Sequence, residues 1–141
     1  MTFWETSAIE PLCVVEPASA QVRAFAEADP SLVVWWATRT ERISVLARRR
    51  REGRLGVQAE QRARRVLASL ASAWSEILPS EAVRGRGERL LSVHPLRAAD
   101  ALQLAAALVW SRGATATHSI VSFDDRLREA ARREGFQLLP D

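Results

Sequence analysis

The sequence predicts an α/β fold of three layers, a central, mostly parallel sheet of about four to five strands flanked by helices. Two observations carry this expectation. Short β-prone runs, such as Val33-Val34-Trp35-Trp36 and Ser119-Ile120-Val121-Ser122-Phe123, alternate with longer helical patterns. The run at 33–36 also lacks the polar alternation of a half-exposed strand, which suits a strand buried on both faces. The 141 residues, 48% hydrophobic and 26% charged, fit one domain over residues 1–141 with a core of its own.

From the N-terminus, Thr2-Phe3-Trp4 reads as a first strand that ends at Glu5, Thr6 and Ser7. Pro11 and Pro17 bracket a loop, and Ser19 to Glu27 reads as a short helix with Val22 and Phe25 on one side and Pro30 beyond its end. After the strand at 33–36, Thr38 or Thr40 can cap a helix that carries Glu41 in its first turn and stops at Gly53. Ile43, Leu46 and Ala47 face inward on it, while Glu41, Val45 and Arg48 share another face. A long helix is expected from Gln58 to Leu78, with Val66, Leu67, Leu70 and Trp74 as its apolar members and Pro79 closing it. Ser80-Glu81 restarts a weaker helix toward Leu91, interrupted by Gly85 and Gly87.

His94 to Trp110 is an almost wholly apolar helix pattern with Pro95 at its entry. Leu102, Ala105, Ala106 and Val109 repeat at helical spacing and predict a core-facing stripe. The strand at 119–123 ends in Asp124-Asp125, and Leu127, Ala130 and Ala131 mark a short helix stopping at Gly135. Phe136 to Leu139 makes a last strand. The five tryptophans read as core or interface anchors, with Trp35 and Trp36 continuing the apolar strand.

All 20 basic residues are arginines, set against 17 acids, for a net charge of +3. That balance permits a nucleic-acid partner without demanding one. Cys13, the sole cysteine, excludes an internal disulfide framework and a thiolate zinc cluster. The first residues lack the pattern of a secretory signal, and no run approaches the roughly 20 apolar residues of a membrane span. A soluble cytoplasmic protein with no membrane partner is the expectation.

The acids are informative because of where the expected fold places them. In open α/β sheets, ligands bind beyond the carboxyl ends of the strands. Glu5 and Asp124 directly follow strands, and Glu41 and Asp100 fall in the first turns of helices. A helix N-terminus alone would favour Asp100 by about 0.3–1 kcal/mol. The alternative is that four carboxylates converge on one edge of the sheet. Clustered carboxylates raise one another's pKa unless a cation neutralises them, and an all-oxygen donor set suits Mg²⁺.

Other features carry less. Arg48 to Arg51 and Arg54, followed by Arg62, Arg64 and Arg65, read either as a solvated helix face balanced by Glu52 and Glu60 or as a phosphate track; Arg48 shares a face with Glu41. Arg97 and Arg126, beside Asp100 and Asp124, are further candidates for phosphate contact. His94 and His118 suit capping or surface positions, and Gly85-Arg86-Gly87 lacks the G-K-[ST] ending of a phosphate loop.

Four segments, W-E-T-S at 4–7, W-W-A-T-R-T-E-R-I-S-V-L-A-R at 35–48, H-P-L-R-A-A-D-A-L-Q-L-A-A-A-L at 94–108 and S-F-D-D-R-L-R-E-A-A-R-R-E-G-F at 122–136, together resemble a PIN domain of the VapC type. The resemblance runs nearly end to end and implies a PIN-like three-layer fold. It also implies an endoribonuclease, the toxin of a type II toxin–antitoxin pair, in which a Mg²⁺- or Mn²⁺-bound water hydrolyses RNA phosphodiester bonds. Position by position, it implies that Glu5, Glu41, Asp100 and Asp124 are the catalytic and metal-binding acids. Asp125 is an alternative to Asp124, though the S-F-D match favours the latter. Thr6 and Ser7 match the hydroxyl residues that support the acidic site; independently of the resemblance, the phosphate-track reading makes Arg48, Arg49, Arg97 and Arg126 the candidate RNA-binding residues. The implied partners are an RNA substrate, an antitoxin covering the acidic cleft, and a second copy in a homodimer. The departure is Glu5, where the family usually has Asp. That difference keeps open a second reading, a catalytically weakened PIN-like protein that binds RNA or an antitoxin without efficient turnover, and a third and weaker one, a phosphohydrolase of small phosphate esters.

Overall fold

A computed structural model describes residues 1–141. Five parallel strands, β1 (Thr2–Trp4), β2 (Leu32–Trp35), β3 (Ser75–Ile77), β4 (Ser119–Val121) and β5 (Gln137–Leu139), form one sheet in the order β3-β2-β1-β4-β5. Seven α-helices accompany them: α1 (Thr6–Cys13), α2 (Ser19–Ala28), α3 (Thr38–Arg51), α4 (Val57–Ala73), α5 (Glu81–Val93), α6 (Ala98–Ser111) and α7 (Asp125–Arg133). β1 is central, in register Phe3 to Val33 on one side and Phe3 to Ile120 on the other. The strand order reverses at β1, so the two crevices that flank its carboxyl end are where this topology binds ligands.

The side chains of β1 and β2 alternate between two buried layers. Phe3, Val33 and Trp35 join Ile120 in a core with α5, α6 and α7, whereas Trp4, Leu32 and Val34 join Val121 in a core with α1, α2 and α4. Burial on both faces explains the unbroken apolar run at 32–35. The expected three-layer architecture and its parallel sheet are therefore the ones observed.

Several elements differ from the sequence reading. Thr6–Cys13 is a helix, although its interior Pro11 forgoes one backbone bond. Ala8, Ile9 and Pro11 are buried beneath the sheet, and that packing outweighs the proline. The expected helix from 58 to 78 ends at Ala73, and Ser75–Ile77 turns into the edge strand β3, paired Val33 to Ser75 and Trp35 to Ile77. Its Ser-Glu-Ile sequence sits at an exposed edge and shows no apolar alternation. β2 ends at Trp35, leaving Trp36 outside the strand and 53% exposed rather than in the core.

Helix α6 is buried nearly all round, including Ala101, Leu104, Ala105 and Leu108, with Leu102 and Val109 only half-buried. The core-facing stripe is thus broader than, and rotated from, the one expected. No helix is long and apolar enough to cross a membrane.

Candidate active site

All four acids lie at the carboxyl edge of the sheet, but on four differently built supports. Glu5 follows β1 and caps α1, its Oε1 accepting from the Ser7 amide at 3.1 Å. Its Oε2 accepts from the Ser7 hydroxyl and from the Ser122 hydroxyl at 2.8 Å. Only 5% of the residue is exposed. Burial pushes the Glu5 carboxyl above its ordinary pKa, against the opposing pull of the serine hydrogen bonds.

Glu41 lies in the first turn of α3 and is half-buried. Its Oε2 accepts from the Thr6 hydroxyl at 2.8 Å and from the Gln103 side-chain amide at 3.3 Å. Desolvation raises its pKa, with Asp100 adding repulsion. Asp100, in the first turn of α6, accepts from the Arg97 backbone amide at 3.4 Å. Its pKa is raised by burial and then by Asp124. Asp124 caps α7, accepting from the Leu127 amide at 2.8 Å, and its own amide donates to Ser122 Oγ at 3.1 Å.

Asp100 and Asp124 line one cavity of about 320 Å³ with Arg97, Ala99 and Arg126. Glu41 instead borders a larger, mainly apolar groove of about 820 Å³ with Trp35, Trp36 and Leu102, and the two spaces share Ala99. Asp125 lines neither space but a third hollow, with His94, Pro95 and Arg126.

The donor chemistry fits a hard dication. All four groups offer carboxylate oxygens, and none of the four takes part in an ion pair, so their charge has no fixed cationic partner. The four acids, expected to converge on one edge of the sheet, are not equally placed there. No group of three or more acids is gathered so that it could hold a metal ion. Asp100 and Asp124 face a shared space, Glu41 stands to one side, and Glu5 is buried against Ser7 and Ser122.

The implied supporting hydroxyls are both engaged: Thr6 with Glu41, and Ser7 with Glu5 and the Phe123 amide at 2.9 Å. Of the candidate RNA contacts, Arg97 and Arg126 are exposed on the rim of the Asp100–Asp124 cavity. Arg48 is exposed two turns along α3 and lines neither the cavity nor the groove. Arg49 pairs with Glu10 and with Glu16 at 3.4 Å.

Sequence reasoning missed Gln103, Thr38 and Ser122. Gln103 and Thr38 are fully buried and bonded to one another at 3.0 Å, and Ser122 binds Glu5. The available signal was a polar residue, Gln103, one turn after Asp100 within an apolar helix. His94 is buried rather than at the surface, with Nε2 3.2 Å from Glu134. His118 closes a 3-10 turn, its ring Nδ1–H donating to Ala114 O at 2.7 Å, and packs edge-on to Trp110.

A five-stranded parallel sheet with this order, helices on both faces and acids at its carboxyl edge is a PIN-like fold. No protein-family model matches the chain, and no curated protein matches it in sequence. Among solved structures it is similar to the crystal structure of FitAcB from Neisseria gonorrhoeae, with a TM-score of 0.68, covering 98% of this chain and 96% of that one. The two are 17% identical, so the likeness is one of fold.

Proposed function

We propose that the protein is a metal-dependent endoribonuclease, the toxin of a type II toxin–antitoxin pair. The observation that carries this reading is the cavity that Asp100 and Asp124 line together with Arg97 and Arg126. Two acids with no ion-pair partner can accept a divalent cation, and two exposed arginines can accept the phosphates of a strand laid across them. The fold shared with FitAcB and the resemblance to VapC-type PIN domains support the assignment.

Asp100 and Asp124 would hold the ion, Mg²⁺ or Mn²⁺, and Glu41, in the adjoining groove and close enough to repel Asp100, would be drawn toward it. When bound, it would acidify a water and offset charge on the scissile phosphate. Arg97 and Arg126 position the phosphate, and Glu5 supports the site from beneath through Ser122, whose hydroxyl also accepts from the Asp124 amide. The partners proposed are RNA, an antitoxin and a second copy of the chain. An antitoxin arginine entering the cleft would pair with Asp100 or Glu41.

A second reading is favoured by one observation, the burial of Glu5. A site short of one acid would leave a protein that binds RNA or its antitoxin and turns over poorly. Cleavage of a mixed, end-labelled RNA pool with Mg²⁺, Mn²⁺ or EDTA tests both. Metal-dependent cutting by wild type that is lost in Asp100→Asn is the expected result. Cutting that survives in Asp100→Asn overturns the assignment, and wild type inert beside an active Glu5→Asp favours the second reading.

A further inference from the structure

Gln103 is 1% exposed, in the middle of the most buried helix of the fold. Its side-chain amide donates to three oxygens: Thr6 Oγ1 on α1, Thr38 Oγ1 at 3.0 Å on α3, and Glu41 Oε2 at 3.3 Å on α3. The Thr6 hydroxyl in turn donates to the same Glu41 oxygen at 2.8 Å. A primary amide inside an apolar helix is costly unless its polar atoms are used; here the amide hydrogens all go to this network, while its Oε1 is left without a partner.

From this network we infer that Gln103 is a positioning residue that sets Glu41 relative to Asp100. The argument is geometric. Asp100 and Gln103 are three residues apart on α6, hence neighbours on one side of a rigid helix. Asp100 presents its carboxylate to the cavity directly. One turn further on, Gln103 grips the second acid from behind, both directly and through Thr6. A single helix therefore fixes two acids, one by carrying it and one by holding it, and Thr38 anchors the amide to the start of the helix that bears Glu41. Three elements, α1, α3 and α6, meet at this one side chain. A leucine would fill the volume, yet it would leave the Thr6 and Thr38 hydroxyls and Glu41 Oε2 without a shared donor.

The inference rests on the nuclease reading for its catalytic consequence, but its structural core can be tested without it. In metal-free, ¹⁵N-labelled protein, the Gln103 side-chain amide protons should exchange far more slowly than those of the exposed Gln21, Gln58 and Gln61. Glu41→Ala and Thr6→Val should each shift the Gln103 amide signals, and Asp125→Asn should not. Signals that exchange like surface amides and ignore Glu41→Ala overturn the clamp, whether or not the protein cuts RNA. In cleavage assays, Gln103→Leu should lower kcat by one to two orders of magnitude with KM for RNA unchanged, and Gln103→Asn, which keeps the donor on a shorter arm, should recover part of the loss. Equal kcat in wild type and Gln103→Leu refutes the role. Wild type that does not cleave at all counts against the nuclease reading, and the clamp is then decided by the exchange measurement.

Discussion

Glu5→Asp is the perturbation that most directly tests how the site is built. Aspartate can still cap α1 through the Ser7 amide. Its carboxylate, however, is drawn back by one carbon–carbon bond, roughly 1.5 Å. The contact to Ser122, 2.8 Å in the wild-type chain, is then out of reach. Losing one charge-assisted hydrogen bond costs about 1.5–3 kcal/mol. One buried methylene adds about 0.8 kcal/mol. Part of this is offset because the shorter acid is less deeply desolvated, leaving a net loss of about 2 kcal/mol. For a chain of this size that corresponds to a fall in Tm of roughly 6–10 °C. Glu5→Gln is the control. It keeps the length and removes a charge that burial already disfavours, so its Tm should stay within about 3 °C of wild type. Thermal melts followed by circular dichroism in EDTA, at neutral pH, read both values without any metal contribution. A Glu5→Asp protein that melts at or above the wild-type temperature would refute the claim that Glu5 holds the junction between β1 and β4.

Three further outcomes are expected. Glu5, Glu41 and Asp100 all have folded pKa values above their ordinary ones, so the folded state binds these protons more tightly than the unfolded state. Stability of the metal-free protein should therefore fall as pH rises from the ordinary carboxylate range through the raised values, and urea titrations at about pH 5 and about pH 8 should show a smaller fall in Asp100→Asn. Asp29, Glu129 and Glu134, held low, act oppositely and lose their contribution only as pH falls below that range. Arg97→Gln and Arg126→Gln should each weaken RNA binding and reduce the salt slope by about 1 with unchanged Tm, whereas Arg49→Gln should lower stability by about 1 kcal/mol and leave RNA affinity alone; filter binding across a salt series separates the two behaviours. Gly135→Ala should destabilise by about 1–3 kcal/mol in chemical denaturation, because Gly135 has φ +97° and an added Cβ would lie 2.6 Å from Thr115 Oγ1.

The elements legible in the sequence were those whose burial writes a period into it. The run at 32–35 announces a strand covered on both faces, and the 119–121 strand with the helix after it is equally plain. Two elements were hidden for opposite reasons. α1 carries a proline that local rules read as a break, and only its packing under Trp4 and Val34 keeps it helical. β3 is an exposed edge whose side chains need not be apolar, so three residues of Ser-Glu-Ile look like the tail of the preceding helix. The acids were legible by position, since each follows a strand or opens a helix. Their inequality was not, because it depends on contacts across 62 to 117 residues of chain: Gln103 to Glu41 and Ser122 to Glu5.

The length of one side chain divides the acids into different tasks. An acid at the end of β1 stands both at the N-terminus of α1 and beside β4, and its reach decides which neighbour it serves. Glutamate at position 5 has the extra methylene to span to Ser122, and Ser122 also binds the Asp124 amide. Its charge is thereby spent on tying β1 to β4 rather than on the cavity. Asp100 and Asp124 are left facing the open space with two arginines, and Glu41 is gripped from behind by Thr6 and Gln103. It follows that the acids should not contribute equally to cleavage. Removing the charge at Asp100 takes away one of the two carboxylates in the cavity and should cost the most. Glu5→Gln leaves both cavity acids in place and should cost far less in kcat, so similar losses from the two variants would show that Glu5 reaches the reacting phosphate after all.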